Sequence, residues 1–253
     1  MENDAVLDRP APSKSVDKFI KNIRSRFDFS DEEKNLLVSR MDGEISFSAG
    51  ETIVEQGQTI TYSSLLFEGM SCREKSTESG SRQILGLQIP GDFVDLHSYP
   101  LEYLDHSLVA LTDCKLVTLP HERIDDLIET HPRFARLLWF STIGDASVHR
   151  EWIQNLGARK GSARMAHLFC EMYARMKVVG LTDDGSFALP LTQGELGDAL
   201  GFTQIHVNRV LKDLREAGLA EFRQKTVHIA DHDRLAKHAG FDPNYLYLSR
   251  RKR

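Results

Sequence analysis

The chain has 253 residues, of which 41% are hydrophobic and 27% charged, an ordinary globular composition that suits two domains better than one. No apolar run approaches the ~20 residues needed to cross a bilayer, and the polar start MENDAVLDRP does not have the pattern of a secretory signal. The three cysteines are far apart, form no CxxC pair and suggest no disulfide framework. We therefore expect a cytoplasmic protein without a membrane partner.

The charge is distributed unevenly. Residues 1–157 carry 16 Lys+Arg against 26 Asp+Glu, a balance of −10, whereas residues 158–253 carry 16 against 11, a balance of +5; together they give the net charge of −5. An acidic first part and a basic second part are expected if only the second part binds a polyanion. Chance is the alternative explanation.

The first part of the chain has the pattern of a β-rich domain. Residues 1–16 are polar, contain two prolines and are predicted to be flexible. Ser30 to Glu33 form a capping-box pattern that predicts a short helix. From 45 to 119, short apolar runs alternate with glycines at 50, 57, 69, 80 and 91, which indicates short strands joined by turns. We predict a β-roll domain over residues 17–132.

After Pro120 the pattern becomes helical, and a long helix is predicted over residues 133–157. It is too apolar to be fully solvated, so it must pack on the β-roll or against a second copy of itself. We predict a homodimer joined mainly along this helix. The predicted dimerisation residues are Leu138, Trp152, Ile153 and Leu156.

Residues 158–253 form the last predicted domain, in which residues 189–231 are the most informative segment. Thr192 and Glu195 form a T-x-x-E capping box that opens a short helix, and Gly201 can end it with a positive φ. Thr203 can cap a second helix, which ends near Gly218 and can be followed by two strands, AEFRQ and TVHIA. This order of elements predicts a winged helix-turn-helix.

The exposed face of the second helix carries amide, imidazole and guanidinium groups, which suit the edges of DNA bases. Other polar groups at the first helix and at the wing would hold phosphates. The alternative, a helical hairpin with a solvated polar face, explains less of the pattern, because cap, turn, polar face and basic wing occur in the required order. The predicted DNA-binding residues are Thr192, Gln193, Thr203, Gln204, Ile205, His206, Asn208, Arg209, Lys212, Arg223 and Lys225.

These motifs give the chain a resemblance to a known family. GETIVEQG at 50–57, the RQI…PGDF segment at 82–93, the long helix and TQGELGDALGFTQIHVNRVLKDL occur in the order found in the Crp/Fnr family of bacterial transcription regulators. The resemblance implies an α+β fold with a cyclic-nucleotide-binding-like β-roll, a dimerisation helix and a C-terminal winged helix-turn-helix. It implies that Arg209 reads guanine and that Gln204 and Ile205 occupy base-reading positions. Ile205 replaces the glutamate common there.

The resemblance also suggests where a signal would act. The candidate effector pocket comprises Gly91, Asp92, His97 and His106. Family members that bind cyclic nucleotides carry an arginine followed by Ser/Thr-Ala, whereas this chain has Leu104-Asp105-His106, so we expect no cyclic nucleotide. No cysteine precedes Cys72, so the N-terminal group of cysteines that ligates an iron–sulfur cluster in some family members is absent. Haem on His97 or His106 is an alternative to ordinary surface or core histidines. No cofactor or metal site is evident.

The predicted function is sequence-specific regulation of transcription, as activator or repressor, by a homodimer bound to a palindromic site in double-stranded DNA, under an unidentified signal at the β-roll. RNA polymerase is the expected further partner. An enzyme is disfavoured because the P-loop, G-x-S-x-G, HExxH and dinucleotide fingerprints are all missing. A helix-turn-helix used for protein contacts is the third hypothesis, and salt dependence of DNA binding would distinguish it.

Overall fold

A computed structural model describes residues 16–248 of the chain. The described chain divides into two compact units, residues 16–74 with 87–145 and residues 75–86 with 146–248. Of the predicted flexible segment 1–16 only Val16 is described, and it is buried in the first unit's core. No helix within residues 16–248 is long and apolar enough to span a membrane.

Seven antiparallel strands build the β-roll in two sheets, one with the order β1-β7-β3 and the other with the order β2-β6-β4-β5. The predicted turn glycines have positive φ, and at Gly69 an added Cβ would lie 2.2 Å from the Asp113 carbonyl oxygen. Glycine is therefore required there on steric grounds. The strands are β1 Glu44–Phe47, β2 Thr52–Val54, β3 Tyr62–Glu68, β4 Ser71–Ser76, β5 Arg82–Gln88, β6 Ser107–Ala110 and β7 Cys114–Pro120.

Neighbouring residues of one strand point into different cores, as the two-residue period of a strand requires. Leu65 and Val117 pack with the surrounding helices, whereas Leu66 and Leu116 pack inside the roll. Both faces of the β1-β7-β3 sheet are therefore covered. The helices of this part are α1 Asp17–Arg24, α2 Asp31–Arg40, α3 Ser98–Leu101 and α4 His121–Thr130.

The capping box predicted before α2 is confirmed. The Glu33 backbone N–H donates to the Ser30 hydroxyl at 3.1 Å, and the Ser30 N–H donates to the Glu33 carboxylate at 2.8 Å. These two bonds satisfy backbone donors that a helix start otherwise leaves unpaired.

The predicted long helix is α5, Arg133–Ala158, and the division between the two units falls inside it, after Asp145. Two of the predicted dimerisation residues are buried by the chain itself: Leu138 lies in the first core, and Trp152 donates its indole N–H to Glu171 at 3.0 Å. Leu138 and Trp152 therefore have little exposed surface in the single chain, and the set of dimerisation residues stays a prediction. Ile153 is exposed and Leu156 partly so.

The second unit is built around α6, whose residues Met165 to Met172 are all buried. The small antiparallel sheet has the order β8-β10-β9 and includes the wing. The last element of the described residues is a 3-10 turn, Pro243–Leu246. The other elements are α6 Gly161–Val179, β8 Ser186–Ala188, α7 Gln193–Leu200, α8 Gln204–Glu216, β9 Ala220–Arg223, β10 Thr226–Ile229 and α9 His232–Ala239.

Candidate nucleic-acid interface and sensor pocket

The first helix of the motif, α7, begins and ends as its sequence predicts. The Glu195 N–H donates to the Thr192 hydroxyl at 3.1 Å, the Thr192 N–H donates to the Glu195 carboxylate at 2.7 Å, and Gly201 ends the helix at φ +64°. Sequence reasoning missed that position 197 must be a glycine. A Cβ there would lie 2.6 Å from the Phe202 carbonyl oxygen, so only glycine lets α7 approach the turn this closely.

The second helix, α8, turns its apolar side chains inward. The His206 N–H donates to the Thr203 hydroxyl at 3.3 Å, which confirms the predicted N-cap. Val207, Val210 and Leu214 are buried. This burial fixes the rotation of α8 and so decides which residues face outward.

The outward face of α8 is polar except for one residue. Ile205 is 84% exposed, and Arg209 is exposed beside the half-buried His206. The Asn208 amide donates to the Gln204 carbonyl at 3.1 Å. The exposed residues of the predicted reading face are Gln204, Ile205, Asn208, Arg209 and Lys212.

The wing is a tight hairpin between β9 and β10. Gln224 and Lys225 have φ of +50° and +58°, as the two central residues of a type I′ turn require. Arg223 and Lys225 are exposed, so two cations lie at or beside the tip. At the start of α7, Gln193 is partly exposed, whereas the Thr192 hydroxyl is engaged in the capping box.

In the β-roll, the candidate effector residues lie in one turn and one stacked pair. The Asp92 carboxylate accepts from the Ile89 N–H at 2.9 Å, and the Gly91 and Asp92 N–H groups donate to protein carbonyls at 2.7 and 3.0 Å. The rings of His97 and His106 stack with centroids 5.2 Å apart. Within residues 16–248, no three His, Cys, Asp or Glu side chains are grouped as metal ligands.

The buried acid in this region is Asp95 and not Asp105, the residue that the sequence suggested. The Asp105 carboxylate is 74% exposed and pairs with His106 at 2.9 Å, so Asp105 does not point into the roll. Asp95 does: it is fully buried and accepts from the Ser64 N–H at 2.5 Å. Burial raises the pKa of Asp95 to about 7, while the Ser64 hydrogen bonds and the Arg73 charge oppose the rise. The short run FVDL after the glycine turn was the available signal.

Arg73 is the buried cation beside Asp95. Its guanidinium donates to the Val94 carbonyl from Nε at 3.2 Å and from Nη2 at 2.8 Å, and it forms an ion pair with Asp145 of α5. Arg73 therefore holds the loop before Asp95 to the long helix. A buried arginine with protein partners on both sides is committed to the fold.

A second buried polar cluster lies between α5 and α6 in the second unit. The Glu171 side chain is buried and accepts from Trp152 at 3.0 Å and from the Tyr245 hydroxyl at 2.8 Å. Burial raises the pKa of Glu171, and Arg175 opposes this. Sequence reasoning missed this cluster, because Glu171 lies in an otherwise ordinary helical pattern.

Comparison with known proteins agrees with this architecture. The model for the Crp-like helix-turn-helix domain matches residues 163–238, and the model for the cyclic nucleotide-binding domain matches residues 44–131. The chain belongs to the Crp/Fnr family of transcription regulators. The predicted α+β fold, with β-roll, long helix and winged helix-turn-helix, is confirmed. Members of this family are regulators and not enzymes.

Individual relatives are similar over most of their length. The transcriptional activator protein FnrL of Cereibacter sphaeroides is 26% identical over 201 residues, which are 78% of this chain and 80% of FnrL. The fumarate and nitrate reduction regulatory protein of Escherichia coli K12 is 23% identical over 86% of this chain and 87% of its own. The structure of FixK2 from Bradyrhizobium japonicum has a TM-score of 0.72 at 24% identity and covers 79% of this chain and 98% of FixK2.

Proposed function

We propose that this Crp/Fnr regulator binds a palindromic promoter site as a homodimer and reads each half-site with the outward face of α8. The observation that supports this most directly is the rotation of α8, since burial of Val207, Val210 and Leu214 leaves Arg209 and its polar neighbours exposed. A helix with such a face fits the major groove, where Arg can donate twice to guanine and Gln can pair with adenine.

The residues that flank α8 suit a different task. Arg223 and Lys225 on the wing can contact phosphates, and Gln193 lies at the start of α7, where backbone N–H groups also attract anions. Thr192 and Thr203 serve as N-caps, so we assign them to the shape of the motif first and to phosphate contact second. Lys212 pairs with Glu216 at 3.7 Å and can turn to the DNA backbone.

An exposed apolar stripe on α5 supports the dimer. Trp139, Ile143 and Ile153 are 68%, 42% and 71% exposed, although each is large and apolar. At roughly 100° per residue they lie within about 80° of each other around the helix. Such a stripe is expected to be covered by a partner. Leu138, Leu156 and Trp152 lie roughly 60–100° from Ile153, on a neighbouring face.

The β-roll is proposed to respond to something other than a cyclic nucleotide. A cyclic phosphate beside the Gly91 turn would find the Gly91 and Asp92 N–H groups already bonded, a buried carboxyl at Asp95, and Arg73 committed to Val94 and Asp145. Bringing an anion to such a site requires desolvation without a compensating cation. The residues present therefore do not fit a cyclic nucleotide.

Because the proposed binding partner is promoter DNA, we also propose RNA polymerase as a further partner and the cytoplasm as the location.

The test of the proposed function starts from a randomised duplex DNA library, from which the purified full chain selects its sites. An enriched palindrome, bound with a log–log salt slope of several units, supports the proposal, because each neutralised phosphate contributes about −0.9. Failure to enrich any sequence would contradict it.

A further inference from the structure

The candidate base-reading arginine is held by another side chain. The Arg209 guanidinium lies with Nη2 2.8 Å from Nδ1 of His206, three residues earlier on α8. Residues three apart on a helix are neighbours on its surface, so the contact follows from the spacing. Because an arginine only donates, the contact is a hydrogen bond with Nδ1 of His206 as the acceptor.

His206 is itself anchored, unlike the exposed residues of the reading face. Its ring packs on the Phe202 ring with centroids 4.3 Å apart, and His206 is half-buried. Phe202 lies below the guanidinium of Arg164, whose carbon is 4.9 Å from the ring centroid. Arg164, Phe202, His206 and Arg209 thus form a continuous series of contacts that runs from three partly buried side chains to the exposed Arg209.

Arg164 has a fixed position because it binds the ends of two helices. It donates to the Leu200 carbonyl at the end of α7 at 2.7 Å, and to the Leu156 carbonyl near the end of α5 at 2.7 Å. Charge-assisted bonds to these otherwise orphan carbonyls are strong and directional. Arg164 therefore gives the stacked rings of Phe202 and His206 a fixed support.

We propose that His206 is a positioning residue that orients Arg209 for base reading and so determines the preference at one base pair of each half-site. The proposal rests on the proposed function, that α8 reads DNA. An unrestrained arginine loses much rotamer freedom when it makes a bidentate contact. Holding the guanidinium before DNA arrives reduces that loss, and a contact fixed in advance discriminates better than one that must form on binding.

The experiment compares two variants of nearly the same shape. His206→Asn can place an oxygen where Nδ1 lies, whereas His206→Leu fills similar space without an acceptor. Each full-length variant, together with Arg209→Ala and the double variant His206→Leu/Arg209→Ala, is measured on the site selected by the wild type and on its single-base substitutions. Thermal unfolding of each variant checks that the fold is retained.

We expect His206→Leu to reduce the preference by about 2–10-fold at the base pair whose preference Arg209→Ala abolishes. His206→Asn should keep more of it, and His206→Leu should cost nothing further there once Arg209 is absent. Equal preference in wild type and His206→Leu, a loss at another base pair, or a uniform loss on all sequences would overturn the proposal. A wild type that selects no sequence would instead overturn the proposed function.

Discussion

At the scale of single residues, Arg209 is the most direct test of DNA reading. A bidentate contact from a guanidinium to guanine is worth about 1–3 kcal/mol of discrimination. We expect Arg209→Ala to weaken the specific site and to flatten the preference at one base pair per half-site. Fluorescence anisotropy on a single-base substitution series measures this, and equal weakening on all sequences would show that Arg209 does not read a base.

Lys225 on the wing provides the contrast. Its ammonium suits a phosphate, which carries no sequence information. Lys225→Ala should therefore weaken all duplexes alike and make the log–log salt slope about 0.9 units less steep, the share of one phosphate. A change of base preference in Lys225→Ala would mean that the wing reads sequence.

Asp95 gives a prediction about pH. Burial raises its pKa from the ordinary 3.8 to about 7, so the folded chain favours the protonated carboxyl. The stability that this provides is complete below about pH 4 and is lost as the pH rises through 7. Asp95→Asn stays neutral and can still accept from Ser64. From pH 5 to pH 8 we expect the variant to gain stability relative to the wild type by ~1–3 kcal/mol. Calorimetry at both pH values measures this, and a difference independent of pH would contradict it.

At the scale of elements, the helix-turn-helix was predictable because its signals are local. The caps at Thr192 and Thr203 and the turn at Gly201 act within a few residues, and all three are as predicted. The outward face of α5 was not predictable in this way. Its apolar residues surround the helix, and only packing against α1, α2 and α6 decides which of them the chain buries. Asp95 was missed for the same reason, since its burial depends on strands distant in sequence.

The exposed apolar stripe on α5 leads to a prediction about assembly. Ile153→Glu or Trp139→Glu places a charge in the exposed stripe, where burial against a partner would leave the charge without compensation. We expect monomers at micromolar concentration and loss of tight binding to the palindrome, because two reading helices must lie about 34 Å apart. Sedimentation velocity measures the first effect. Leu101→Glu, at another exposed apolar site outside α5, should remain dimeric. Dimers in both α5 variants would place the interface elsewhere.

At the scale of the whole molecule, charge and function divide along the chain. The first 157 residues carry −10 and the rest +5, and the DNA-reading elements all lie in the basic part. A basic surface attracts DNA, while an acidic β-roll is repelled by it, which favours approach through the winged helix-turn-helix. The β-roll is thus available for control, and the nature of its signal is the next question.

Binding of a cyclic nucleotide can be tested first. A ligand that binds the folded chain and not the unfolded chain must stabilise the folded chain. A ligand at about 1,000 times its Kd adds ~4.1 kcal/mol to the free energy of unfolding. At millimolar cyclic AMP or cyclic GMP, a micromolar site would raise the Tm by several degrees. We expect no rise, since a buried carboxyl, Asp95, follows the Gly91 turn and Arg73 is already paired with Asp145. Asp95→Asn should not create binding either, because Arg73 remains paired. A rise in the wild type, supported by calorimetric titration, would mean that Arg73 exchanges Asp145 for the phosphate.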